Sequence, residues 1–118
     1  YDAYRIADGG TVCFFRDDHL SDLIGFEYSR WHGRDAAAHF VGEIERIAAD
    51  APPDRTPLVS VILDGENAWE YYPYNGFFFL DDLYALLEDH PAIRTTAYAA
   101  VVGDSTRRFA HLERLVAG

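Results

Sequence analysis

The stretch Pro57-Leu58-Val59-Ser60-Val61-Ile62-Leu63-Asp64-Gly65 decides the fold class. A nearly continuous apolar run of this length is the pattern of a parallel-sheet strand whose two faces are both covered by helices. It runs directly into the turn pair Asp64-Gly65, so Asp64 stands at the strand's carboxyl end. Upstream, Thr11-Val-Cys-Phe-Phe15 follows Gly9-Gly10 and reads as a second, buried strand. Leu20, Leu23, Ile24 and Tyr28 then recur at helical spacing, with Asp17 or Asp18 as N-cap and Phe26 and Trp31 extending the apolar surface. Asp35 is placed to cap a helix over 36–49, whose stripe is Ala36, Phe40, Ile44 and Ile47, and Pro52-Pro53 ends it. Downstream, a polar and aromatic loop over 66–76 leads to a helix over 80–87 with Leu80, Leu83, Tyr84 and Leu87 on one face. A brief strand over 93–96 and a last helix over 106–116 follow. The alternation of strands and helices predicts an α/β architecture in one unit, 1–118.

Composition narrows the partners. The 118 residues carry 20 acidic and 10 basic side chains, a formal charge of −10. That lies outside the roughly 2–8 of a typical small domain and leaves no surplus of cations for phosphates. Nucleic acid and anionic membrane are therefore excluded as expected partners. No run approaches the roughly 18 apolar residues of a membrane helix. The single cysteine, Cys13, has no internal partner for a disulfide. The chain begins at Tyr1 and contains no methionine, so it reads as a piece of a longer protein, and a missing leader says nothing about compartment.

Two clusters can carry chemistry. The first is Leu63-Asp-Gly-Glu-Asn-Ala-Trp-Glu-Tyr-Tyr-Pro-Tyr-Asn-Gly76. Functional groups of α/β folds collect at the carboxyl ends of strands, and Asp64 sits there with Glu66 and Glu70 close behind. Seven of the eleven residues over 69–79 are aromatic. Carboxylates beside amphipathic rings suit a carbohydrate, whose C–H faces stack on aromatics while its hydroxyls bond to acids and amides. A plain turn followed by core aromatics accounts for the same letters, and Phe77–Phe79 read as core. The second cluster is Arg16-Asp17-Asp18-His19. Adjacent residues seldom converge on one ion, so helix capping and an Arg16–carboxylate contact explain it better than a metal. The remaining histidines are scattered, and Cys13 reads as inert strand filling. Neither a phosphate loop nor a nucleophile elbow is present, and no cofactor is expected.

The first cluster also carries a resemblance. Leu63-Asp-Gly-Glu-Asn-Ala-Trp-Glu70, with Tyr72-Pro73 and Asn75-Gly76, resembles the fourth sequence motif of glycoside hydrolase family 57, the α-amylase and amylopullulanase type of enzyme. Phe15-Arg-Asp, Leu20-Ser-Asp and Ile24-Gly-Phe-Glu-Tyr28 resemble the preceding segment, and Ile93-Arg-Thr-Thr96 and Leu112 to Gly118 resemble the sequence that follows. The resemblance implies a retaining hydrolase or glucanotransferase acting on α-glucans or maltooligosaccharides. It implies a (β/α)7 barrel of mainly parallel strands covered by helices, of which this chain is a segment. By motif position Asp64 is the acid/base, and Glu66, Trp69, Glu70 and Tyr72 are expected to bind substrate. Retention needs two carboxyl groups about 5–5.5 Å apart.

Against the family pattern, the Trp-Pro-Ser-Glu-type nucleophile segment, the N-terminal His-Gln-Pro motif and the final motif are missing from these residues. The chain is thus expected to supply the acid/base half of a dyad, to be inactive alone, and either to self-associate or to need the rest of the barrel. Two other readings stay open. One is a non-catalytic α/β module that binds glucan or packs on a partner, which the absence of an upstream nucleophile glutamate in the parent protein would favour. The other is a metal-dependent polysaccharide deacetylase, for which Arg16-Asp-Asp-His19 lacks a companion His-x-x-x-His.

Overall fold

A computed structural model describes residues 3–6, 12–53, 56–65, 69–104 and 110–112. Three short strands form one sheet in the order β2-β1-β3. β1 (Ala3–Ile6) pairs antiparallel with β2 (Val12–Phe14), setting Tyr4 opposite Cys13, and parallel with β3 (Ala110–Leu112), setting Arg5 opposite His111. Among the described residues four α-helices accompany the sheet: α1 (Asp18–Asp22), α2 (Gly33–Asp50), α3 (Phe77–Asp89) and α4 (Tyr98–Gly103).

The α/β class holds, while the sheet departs from the expected barrel. It is neither closed nor mainly parallel, because β1 has one antiparallel and one parallel neighbour. The apolar run 57–63 joins none of its strands. Val59, Val61 and Leu63 pack against the core; of the residues between them Ile62 is exposed, whereas Ser60 is buried at 6% exposure. The backbone of the run is held by α1 and the residues before it, not by a neighbouring strand. The Asp17 N–H donates to the Ser60 carbonyl at 2.8 Å, Arg16 Nε to the Ile62 carbonyl at 3.0 Å, and the Ile62 N–H to Ser21 Oγ at 3.3 Å. Residues 93–96 are likewise not a strand, although Ile93 packs on the core. Of the helix expected over 106–116, residues 110–112 are β3, and the others lie outside the described residues.

α1, α2 and α3 lie where the sequence signals helices, whereas α4 falls where none is expected and Tyr84, expected on the inner face of α3, is 61% exposed. Asp17 caps α1, its Oδ1 accepting the Leu20 N–H at 2.7 Å. The chain then widens into a π-helical turn (Leu23–Glu27), in which the Tyr28 N–H reaches back to the Leu23 carbonyl, and tightens into a 3₁₀ turn (Tyr28–Arg30). Leu20, Ile24 and Tyr28 are buried along one face. Phe26 points to solvent, and Trp31 stands edge-on to Tyr28 at 5.3 Å between ring centroids. α2 begins at Gly33, two residues before the expected Asp35 cap, and buries Ala36, Ala37, Phe40 and Val41. Its start lies against the start of α3: a Cβ on Gly33 would stand 3.1 Å from both the Phe78 carbonyl carbon and the Phe79 nitrogen. α3 closes the core with Phe79 and Leu83.

Two phenols are built into this core. Tyr28 Oη lies 2.6 Å from His39 Nδ1, and the Tyr72 hydroxyl donates to the Ile24 carbonyl inside the π-helical turn. Burial pushes the Tyr72 phenol up to about 12. Burial, then the charges of Glu43 and Tyr72, raises Tyr28 further. An unfolded tyrosine titrates near 10, so between about pH 10 and the folded values the unfolded chain has lost protons that the native state keeps. The stabilisation is therefore complete below about pH 10 and is lost as pH rises through the folded values, at up to about 1.4 kcal/mol per pH unit for each phenol. Urea midpoints measured between about pH 9 and pH 12 are expected to fall along this slope, and to fall less steeply after Tyr28→Phe with Tyr72→Phe. A flat midpoint over that window would contradict the buried phenols.

Candidate functional site

Asp64 stands two residues beyond Ile62, the last residue whose backbone is fastened to α1. Its side chain is exposed, and among the described residues it has neither a hydrogen bond nor an ion pair. Leu63, just before it, packs on the core. Asp64 thus faces away from the apolar interior that Leu63 joins, at the end of an anchored segment. Glu66 lies outside the described residues, and Glu70 is exposed.

Trp69 and Tyr72 are brought together. Their rings meet edge to face at 5.3 Å, and both lie near Phe79, at 6.1 and 5.8 Å respectively. Tyr72 is only 6% exposed and its hydroxyl is committed to the Ile24 carbonyl, so it supports Trp69 from beneath. Trp69 is partly exposed. Between this pair and α3 the backbone makes an unusual turn: Tyr74, Asn75 and Gly76 all take positive φ, at 53°, 55° and 81°. Asparagine and glycine enter this left-handed region readily, whereas tyrosine rarely does. The turn throws Tyr74 outward, 78% exposed, beside Tyr71 at 79%.

The three phenylalanines divide. Phe79 is buried at 3% exposure, but Phe77 and Phe78 are 61% and 54% exposed, contrary to the expectation that all three are core. Helical residues step about 100° around the axis, so three in a row cannot share one face. Phe78 stands edge to face with both Tyr74 and Phe77, at 5.3 and 5.4 Å. The result is a band of solvent-facing rings on the segment that follows Asp64.

The second cluster is resolved differently. Arg16 forks onto Asp18 through Nη1 at 2.6 Å and onto Asp22 through Nη2 at 2.8 Å. These hydrogen bonds, Asp22 first, hold the guanidinium further above its ordinary value. His19 faces Glu43 on α2, with Nε2 3.4 Å from Oε2, and Glu43 also meets His39 at 3.7 Å and Arg46. Among the described residues, no three His, Cys, Asp or Glu side chains are grouped so as to hold a metal ion. Sequence reasoning had foreseen the Arg16–carboxylate contact. It missed the third bond, to Ile62, whose partner lies 46 residues away and leaves no local signal. It missed the outward rings as well, although the period of 3.6 residues across Phe77, Phe78 and Phe79 contains that information.

The sequence profile of glycosyl hydrolase family 57 matches residues 1–111. The chain belongs to that family. Membership ties the parent protein to the cleavage or transfer of glycosidic bonds. No curated protein and no solved structure matches the chain. Within the family 57 chain, the matched span takes in both the fork at Arg16 and the whole stretch from Asp64 through the exposed rings. No helix among the described residues is long and apolar enough to cross a membrane.

Proposed function

We propose that this chain supplies the acid/base aspartate, Asp64, to a retaining α-glucan hydrolase or glucanotransferase of family 57. The observation that carries the reading is the exposed carboxyl of Asp64, unpaired among the described residues, at the end of the anchored 57–63 segment and within the family match. In the first half-reaction Asp64 gives its proton to the glycosidic oxygen while a second carboxylate attacks the anomeric carbon. In the second half-reaction it takes a proton from the water or sugar hydroxyl that displaces the enzyme carboxylate. Trp69, propped by Tyr72, offers a ring face to a sugar, and Glu66 and Glu70 offer hydrogen-bond acceptors to its hydroxyls. The attacking carboxylate comes from outside this chain. The strand-like alternation of Val59, Val61 and Leu63 supports a place for 57–63 in a (β/α)7 barrel whose neighbouring strands lie elsewhere in the parent protein.

Proton NMR of the full-length enzyme acting on a maltooligosaccharide tests substrate class and stereochemistry together. The α-anomer is expected to accumulate first and then mutarotate. A β-anomer as first product would overturn retention, and an intact oligosaccharide would overturn the α-glucan assignment.

A further inference from the structure

Asp64 can act only if its carboxyl is held where the leaving oxygen will be, and the chain around it is an irregular segment with no ladder partner among the three strands. Of the three bonds that tie this segment to α1 and the residues before it, the Asp17 N–H holds the Ser60 carbonyl and the other two fall on one residue, the one nearest Asp64. Ile62 has its N–H on Ser21 Oγ and its carbonyl on Arg16 Nε, so the peptide groups on both sides of its Cα are tied to α1 and the residue leading into it. Ser21 is fully buried and cannot drift. Arg16 is held at three points: its two terminal nitrogens bind Asp18 and Asp22, four residues apart on one helix face, and its Nε donates to the Ile62 carbonyl. A planar guanidinium can satisfy three acceptors at once in this way, whereas an ammonium has no such fixed fork. The two carboxylates also neutralise the guanidinium charge. Arg16 therefore acts on Asp64 through geometry, not as a free cation.

We infer that Arg16 is a positioning residue for the acid/base: its fork on α1 sets the Ile62 carbonyl, and through Leu63 the carboxyl of Asp64, at the height of the glycosidic oxygen. This inference rests on the assignment of Asp64 given above. The consequence is selective. A displaced general acid slows only those reactions whose leaving group needs a proton, and misplacement by about 1 Å costs on the order of 100-fold.

The test compares kcat/KM, which reports the glycosylation step, for a maltooligosaccharide and for α-maltosyl fluoride, whose leaving group departs without a full proton transfer. The full-length enzyme is assayed as wild type, Arg16→Ala, Arg16→Lys and Asp64→Asn. Both Arg16 variants are expected to lose on the order of 100-fold on the oligosaccharide and less than about threefold on the fluoride. Lysine is expected not to rescue, since it restores charge but not the fork. If Arg16→Ala does not fold, Arg16→Lys carries the same comparison. Equal losses on both substrates would reduce Arg16 to general stability and overturn the inference, as would oligosaccharide turnover within about twofold of wild type. If Asp64→Asn is inactive on the oligosaccharide while the Arg16 variants are not, the inference alone falls. If Asp64→Asn turns over the oligosaccharide normally, the acid/base assignment falls and the inference with it.

Discussion

Asp64→Asn in the full-length enzyme is expected to lower kcat/KM on an unactivated α-glucan by about 10²–10⁴-fold, the usual worth of a general acid. The substitution keeps size and polarity but cannot deliver a proton. Asp64 is exposed and unpaired among the described residues, so the change breaks no hydrogen bond or ion pair of the described structure. Surface substitutions of that kind usually shift stability by less than about 0.5 kcal/mol. The rate loss is therefore expected with an unchanged urea midpoint, which separates chemistry from unfolding. Activity within a few-fold of wild type would remove Asp64 from the role.

Gly76→Ala has the largest expected effect on stability. Gly76 sits at φ 81°, ψ 9°, in the left-handed region, where a Cβ costs about 1–2 kcal/mol. That Cβ would also stand 2.9 Å from Cε3 of Trp69, well inside the roughly 3.5–4.0 Å at which carbon atoms settle. Trp69 also packs on the rings of Tyr72 and Phe79, so moving it away disturbs those contacts. Overpacking of this kind typically adds about 1–3 kcal/mol, for a combined loss of about 2–5 kcal/mol. Gly42→Ala is the matched control: it lies within α2 with nothing within 4 Å of its Cβ position, and is expected to be neutral or stabilising by up to about 1 kcal/mol. Urea denaturation followed by circular dichroism checks both, and equal midpoints for the two variants would contradict the left-handed turn. Because the turn also seats Trp69 and throws Tyr74 outward, the Gly76 variant is expected to show an altered tryptophan spectrum before unfolding.

What the sequence made legible was local. Asp17 caps α1 through a side chain three residues from its backbone partner, and the stripes of α2 and α3 are periodic, so both could be read from spacing. The run 57–63 shows its strand character in the letters as a nearly continuous apolar stretch, but strand pairing is a property of distant segments, and here α1 and the residues before it take the place of a neighbour. The same limit explains β3, whose three residues lie inside a predicted helix and are recruited by β1, more than a hundred residues earlier in the chain. At the candidate site, Asp64 was legible because it ends an apolar run. The outward turn of Phe77 and Phe78 depends on the start point of α3, which the left-handed residues 74–76 set.

The acidity of the chain also gains a location. Part of the −10 charge is used structurally, with Asp18 and Asp22 holding Arg16 and Glu43 gathering His19, His39 and Arg46. Among the described residues, Asp64 and Glu70 remain outside these pairings and are exposed. A neutral sugar needs no electrostatic steering, so an acidic surface is no obstacle to it.

The most direct measurement of the central claim is azide rescue of Asp64→Ala in the full-length enzyme, starting from α-maltosyl fluoride. With the acid/base removed, the glycosyl-enzyme still forms but water is no longer activated, and an anion that needs no general base can take its place. Azide is expected to restore turnover, with α-maltosyl azide as the product because the nucleophile enters from the face that water would use. Hydrolysis at the wild-type rate without azide, or turnover that azide leaves unchanged, would contradict the acid/base role of Asp64.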